Sequence, residues 1–261
     1  MEWRDIIYQY DGSFEGLLCC IYESYTQKER PTSIICEEDA EWCLYDMRMV
    51  VTERAHAERI RRSLQKLSPH VTPFLWRAYL TCMPERETAI YRFVAKLYRE
   101  GAPYLSRLSD EAYLPLRKAV RGLMTEVEHL RGFVRFSDYG GTLGAVIEPQ
   151  NRVLPLLRGH FCQRCHDECF FIYDRTHREA LMYAKGCSRI LPLDSYDPAP
   201  PDAEEAAYRR LWKRFYDTIA IPERRNPRKM IKDMPRRYWA QMPEMQPEND
   251  APALPEEGTA S

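Results

Sequence analysis

With 261 residues, 44% of them apolar and 30% charged, the chain can bury one large core or two small ones and is too apolar to be wholly disordered. Its net charge of −1 conceals segregation: residues 208–239 hold eleven Lys/Arg against three Asp/Glu, a local balance of +8 that leaves the rest at −9. Met1–Asp5 mixes both signs of charge, and the densest apolar run, 16–22, is far too short for a bilayer, so neither a secretory signal nor a membrane span is expected.

Residues 6–10 are apolar and aromatic, Asp11-Gly12-Ser13 reads as a turn, and Leu17, Leu18, Ile21, Tyr22 and Tyr25 recur at helical spacing. Short strands are expected at 33–36 and 42–45. Thr52 suits the N-cap of a helix carrying Ile60, Leu64 and Leu67. Pro73 and Pro84 each suit a first helical turn, and Ile90, Phe93, Val94, Leu97 and Tyr98 form an apolar stripe ended by Gly101. A helix over 115–130 turns Val120, Leu123, Val127 and Leu130 inward. Then the period changes. Residues 132–137 and 142–147 flank Asp138-Tyr139-Gly140-Gly141 as a hairpin, 151–165 reads as a helix, and 170–173 with 180–184 form a second hairpin.

That order predicts an α+β fold: one mixed or antiparallel sheet built from the N-terminal strand and both hairpins, with 52–130 as a helical layer. The core spans 1–191 and a proline-rich connector 192–201. A basic, aromatic helical segment, 202–240, follows, opened by a capping box at Asp202 and Glu205, and 241–261 has the composition of a disordered tail.

On a helix over 203–219, Tyr208, Leu211, Trp212, Phe215 and Ile219 share one side, which should dock, while Arg209, Arg210, Lys213 and Arg214 share the other. Arg224, Arg228, Lys229, Arg236 and Arg237 continue the charge up to Tyr238 and Trp239. Such residues can neutralise phosphates and stack on bases, although the same pattern also describes a solvated face or a site for an acidic protein.

The stretch Tyr10-Asp11-Gly12-Ser13-Phe14-Glu15-Gly16-Leu17-Leu18 resembles the opening of a bacterial family of DNA metabolism proteins built on a domain of unknown function. Leu64-Gln65-Lys66-Leu67-Ser68, Gly132-Phe133-Val134-Arg135-Phe136, His160-Phe161 and Ile172-Tyr173-Asp174 follow in the family's order. Glu223-Arg224, Asn226-Pro227-Arg228, Met234-Pro235 and Arg237-Tyr238-Trp239 carry its C-terminal signature. The resemblance implies DNA as a partner, together with a radical-SAM protein that modifies or repairs DNA, and association with uracil-DNA-glycosylase-like domains. The chain departs from the family pattern at Cys165, where an aromatic residue is expected after Arg164.

Nine cysteines without an export signal suit a reducing cytoplasm rather than a disulfide framework. Cys162, Cys165 and Cys169 near His160 lack the second CxxC pair of a zinc site, so no metal is assigned. The spacing is also the reverse of CxxxCxxC, so the chain is not itself a radical-SAM enzyme. No cofactor motif is legible, whether a Walker lysine, GxGxxG or GxSxG. Asp11, Glu148 and Asp174 each follow an expected strand, and His160 lies between the hairpins. Together they are candidates for an acid/base pocket, while singly each fits a turn or a backbone partner. Two functions follow: a DNA-associated accessory protein without membrane attachment, or a nucleic-acid- or nucleotide-processing enzyme using those four residues.

Overall fold

A computed structural model describes residues 3–36, 46–198, 203–219 and 226–246. It is an α+β protein with two sheets. The chain divides into two compact units, Met1–Glu128 with Pro149–Pro155, and His129–Glu148 with Leu156–Ser261.

In the first unit, β1 (Arg4–Tyr10) leads into α1 (Phe14–Gln27), which returns the chain so that β2 (Glu29–Cys36) pairs parallel to β1. Asp11 Oδ1 accepts from the Ser13 amide at 2.9 Å, and Ser13 Oγ then caps the helix by accepting from the Gly16 amide at 2.9 Å. Gly16 is obligatory there: a Cβ would collide with Asp11 Oδ1 and stand 2.8 Å from the Tyr10 ring, so only glycine lets the helix start this close to the strand. β3 (Met47–Met49) pairs parallel on the other edge of β1, giving the order β2-β1-β3. The expected strand at 42–45 lies outside the described residues.

One carboxylate ties the three strands. Glu29 of β2 is buried and accepts from Tyr8 of β1 at 2.9 Å and from Arg48 of β3 at 2.9 and 2.8 Å. Burial raises its pKa, but the Arg48 and Tyr8 hydrogen bonds outweigh that and hold it below the ordinary glutamate value. Burial, followed by the Glu29 hydrogen bond, raises the Tyr8 phenol well above its own.

Four helices follow: α2 (Arg54–Leu67), α3 (Val71–Tyr79), α4 (Arg86–Glu100) and α5 (Tyr113–Phe133). They bury Ile60, Leu64, Leu75, Ile90, Phe93, Leu97, Leu116 and Leu123. Gly101 caps α4 at φ +73°, as its position predicts. Two expected starts are corrected. Glu53, not Thr52, is the N-cap of α2, because the Thr52 hydroxyl lies against the first turn of α1. Pro84 precedes α4 rather than entering it, since Glu85 takes a left-handed conformation at φ +50°. Residues 149–155 join this unit through Glu126, which is 1% exposed and accepts from the Gln150 amide, the Asn151 amide and Asn151 Nδ2 at 3.0, 2.9 and 2.6 Å.

The second unit holds a mixed sheet of order β4-β5-β6-β7-β8. β4 (Ser137–Asp138) and β5 (Thr142–Ile147) form the first hairpin. It is shorter than expected because α5 keeps its helical period through Phe133. α6 (Leu154–Arg164) crosses over, with Pro155 in its first turn, so β6 (Cys169–Asp174) lies parallel to β5. β7 (Glu179–Ala184) closes the second hairpin as expected. β8 (Cys187–Pro192) was not expected. Lys185 and Gly186 join it to β7 at φ +49° and +81°, the mirror-image turn whose twist suits a two-residue hairpin. The N-terminal strand does not belong to this sheet, contrary to expectation, because the α1 crossover commits β1 to β2 and β3.

The C-terminal region carries α7 (Ala203–Ile219), α8 (Pro227–Asp233) and two short 3-10 turns, Arg236–Gln241 and Pro243–Met245. Asn226 caps α8 by accepting from the Lys229 amide at 3.1 Å, with Pro227 opening the helix. The tail expected to be disordered from 241 is therefore structured through Met245, where Glu244 is buried. Asp202 of the expected capping box lies outside the described residues. No helix among the described residues is long and apolar enough to cross a membrane.

Candidate functional site

A groove of about 1150 Å³ lies wholly within the second unit, between the β4–β5 side of the sheet, the start of α7 and the final 3-10 turns. Its sheet side is aromatic by construction. Gly144 of β5 has no Cβ, and a Cβ there would meet the Phe171 ring at 2.5 Å and the Tyr139 ring at 2.7 Å, so both rings lie across the strand. Phe171 in turn packs edge-on against Tyr196, at 5.1 Å between centroids. Burial, then the neighbouring Tyr139, pushes the Tyr196 phenol up to about 12.

The helix side departs from expectation. The stripe Tyr208, Leu211, Trp212, Phe215 and Ile219 was expected to dock, yet Tyr208 is 61%, Trp212 42% and Phe215 51% exposed. Polar ties position α7 instead of a covered apolar face. Arg209 spans Glu205 at 2.8 Å and Ser137 at 2.5 Å, Lys213 Nζ donates to the Gln246 carbonyl at 2.5 Å, and Trp212 Nε1 donates to Glu244 at 3.1 Å. The Glu244 side chain is 1% exposed and also takes Arg135 Nε and Nη2 at 3.1 and 2.6 Å. Arg135 in turn lies over the Trp212 ring, 5.8 Å from its centroid. Neither Arg135 nor Glu244 was singled out from the sequence. Arg135 lay in a motif read only for resemblance, and Glu244 in a stretch read as tail.

The other basic candidates spread over the surface of the same region. Arg210, Arg214, Arg228, Lys229, Arg236 and Arg237 are exposed, while Arg224 lies outside the described residues. Arg236 and Arg237 lie over Trp239 and Tyr238 at 5.7 and 4.8 Å. Those two aromatics are anchored. Tyr238 is 5% exposed and packs on His129 and Phe133, and Trp239 Nε1 donates to the Met234 carbonyl at 2.9 Å. Tyr208, Trp212 and Phe215 are therefore more accessible than Tyr238.

Of the four acid/base candidates, Asp11 belongs to the first unit, where it holds Ser13, and the other three to the second. Burial pushes the Asp11 pKa up, but hydrogen bonds from Ser13 outweigh it and leave the carboxyl below its ordinary value. Glu148 and Asp174 lie at the carboxyl ends of two parallel strands, but it is Ile147 that is in register with Asp174, and Glu148 faces Arg175 instead. Glu148 pairs with Arg175 at 2.6 Å. Asp174 is fully buried, accepts from the Thr176 and His177 amides at 3.0 and 3.1 Å, and lies 2.7 Å from His177 Nδ1. His177 was read only as part of a turn, and its i+3 spacing from Asp174 was the available signal. His160 on α6 packs edge-on to Phe161 at 4.9 Å.

The eight described cysteines are free thiols. No three His, Cys, Asp or Glu side chains among the described residues gather as a metal-binding set. No curated protein and no solved structure matches the chain. A family model described as a domain of unknown function, DUF4130, matches residues 84–244, from just before α4 to Glu244. With more than half of its length matched, including every residue that lines the groove up to Pro243, the chain belongs to the DUF4130 family.

Proposed function

We propose that this protein is a DNA-associated accessory factor in DNA modification or repair, which contacts DNA through the surface of its C-terminal region. The observation that supports the reading most directly is a set of cations with no acid committed to them. Arg210, Arg214, Arg228 and Lys229 are exposed and make no ion pair with any described residue. Other arginines, such as Arg48, Arg61 and Arg175, each face a carboxylate. Arg210 and Arg214, one helical turn apart, and the adjacent Arg228 and Lys229 repel within each pair, and a polyphosphate relieves that repulsion while releasing its counterions. The sequence resemblance adds a radical-SAM protein as partner and, through related domain arrangements, a uracil-DNA-glycosylase-like protein.

The test is binding of labelled DNA to the full chain across a salt series. Replacing Arg210, Arg214 and Arg228 by glutamate should weaken binding by at least about tenfold and flatten the salt dependence by roughly one unit per phosphate contact removed. Unchanged affinity and slope would refute the assignment of the DNA surface. Co-purification with the radical-SAM partner, with and without DNA, tests the other half.

A second reading, a nucleic-acid- or nucleotide-processing enzyme, draws support from the position of Asp174 at the end of a parallel strand and the His177 ring held by it. In open sheets, the carboxyl ends of parallel strands are where ligands are usually met. It requires that Glu148→Gln or Asp174→Asn abolish an activity that the purified chain displays.

A further inference from the structure

We infer that the groove beside α7 holds the unpaired bases of single-stranded DNA, an inference that rests on the DNA-associated reading and narrows it to the form of DNA held. The lining combines rings with guanidinium groups. Phe136, Tyr139 and Tyr196 face it from the sheet side, and Tyr208, Trp212 and Phe215 from the helix. Stacking on such rings is tolerant of sequence, because every base has a π-face. In a duplex those faces are occupied by neighbouring base pairs and only the edges are offered, to which flat rings add little.

Charge selects the same occupant. Arg135, Arg164 and Arg209 line the groove against a single lining acid, Glu205, and Arg210 and Arg214 are exposed on the same helix. Arg135 and Arg209 already pair with Glu244 and Glu205, but an apolar peptide or acyl chain would cover the rings and offer no anion to Arg164. A strand of DNA satisfies both, with bases on the rings and phosphates along the cations. The volume of about 1150 Å³ exceeds the usual range of small-molecule pockets, which suits a chain better than a single nucleotide.

Trp212 is also set in advance. Its indole N–H is held by Glu244 at 3.1 Å, so the ring is oriented before anything binds, and less freedom is lost on stacking. Phe215 tilts against Trp212 at 5.8 Å between centroids, continuing the platform along the helix.

Fluorescence anisotropy of the full chain decides the matter, using three labelled probes of equal length: an oligothymidylate, an abasic strand and a duplex. The thymidylate should bind at least about tenfold more tightly than the abasic strand, since both offer phosphates and only the thymidylate offers bases to stack. Phe215→Ala removes a half-exposed ring and should bring thymidylate affinity down towards that of the abasic strand, with an unchanged circular dichroism spectrum. Trp212→Ala should do the same, and Trp212→Phe, which retains a ring, should keep most of the preference. Equal binding of thymidylate and abasic strands overturns the inference while leaving the electrostatic reading intact. A preference for the duplex, or competition by polyglutamate as effective as that by thymidylate, also overturns it. Failure to bind any of the three probes at low salt overturns both readings.

Discussion

Removing the carboxylate of Glu244 tests how the groove is held. Its side chain is 1% exposed and accepts three hydrogen bonds, two from Arg135 and one from the Trp212 indole. Glu244→Ala deletes the acceptor of all three. Breaking a fully buried pair costs about 3–5 kcal/mol, because the surviving charge is left unpaired. Arg135 is 28% exposed, so its guanidinium can turn to water, and a loss of about 2–3 kcal/mol is the better expectation. Glu244→Gln keeps the volume and one acceptor oxygen, and should cost about half as much. Two units need not unfold together, so a single global transition is not the right readout. Hydrogen exchange is, because it reports opening residue by residue. Amides of residues 209–215 should exchange about 30- to 150-fold faster in Glu244→Ala, while those of β1 and α1 stay unchanged. The single variants Arg135→Ala and Glu244→Ala with their double variant should show a coupling of at least about 1 kcal/mol. Protection of α7 within twofold of the parent would refute the claim that this carboxylate fixes the helix.

Three further outcomes are expected. Glu29 titrates below its unfolded value of 4.5, so its contribution is complete above that pH and is lost as pH falls through the lower, folded value. Glu29→Gln should therefore be less stable than the parent at neutral pH, and the difference should narrow on acidification, as followed by urea denaturation. Gly16→Ala puts a methyl group against Asp11 Oδ1 and the Tyr10 ring and should destabilise the first unit by about 1–3 kcal/mol, lowering its thermal midpoint; an unaltered midpoint would contradict the close approach. Gly144→Ala should displace the Tyr139 and Phe171 rings, weakening thymidylate binding and deprotecting the amides of 137–143, with no effect on residues 4–36.

Local structure was largely legible because its causes are local. The apolar and aromatic run of 6–10, the Asp11-Gly12-Ser13 turn, the stripe ending at Gly101 and the hairpin at 174–179 follow from side-chain character and turn chemistry within a few residues, and each element is present. The α+β class was readable for the same reason. Pairing was not. Whether β1 joins the hairpins or pairs with β2 depends on contacts between distant residues, such as Tyr8, Glu29 and Arg48, whose geometry no periodicity encodes. Lys185-Gly186 is a weak version of the Asn-Gly signal, so β8 went unread. The richness of 208–239 in basic and aromatic residues was plain from composition, but its orientation was not. An apolar stripe on a helix normally predicts burial, and here Tyr208, Trp212 and Phe215 border a groove, because buried Glu244, from a stretch that reads as tail, holds the helix by its polar atoms. The sequence by itself determined the kinds of most elements, some of their caps and the sign of the charge. Only the tertiary structure decided which strands meet and which rings stay open to a ligand, since both depend on residues that are brought together solely by folding.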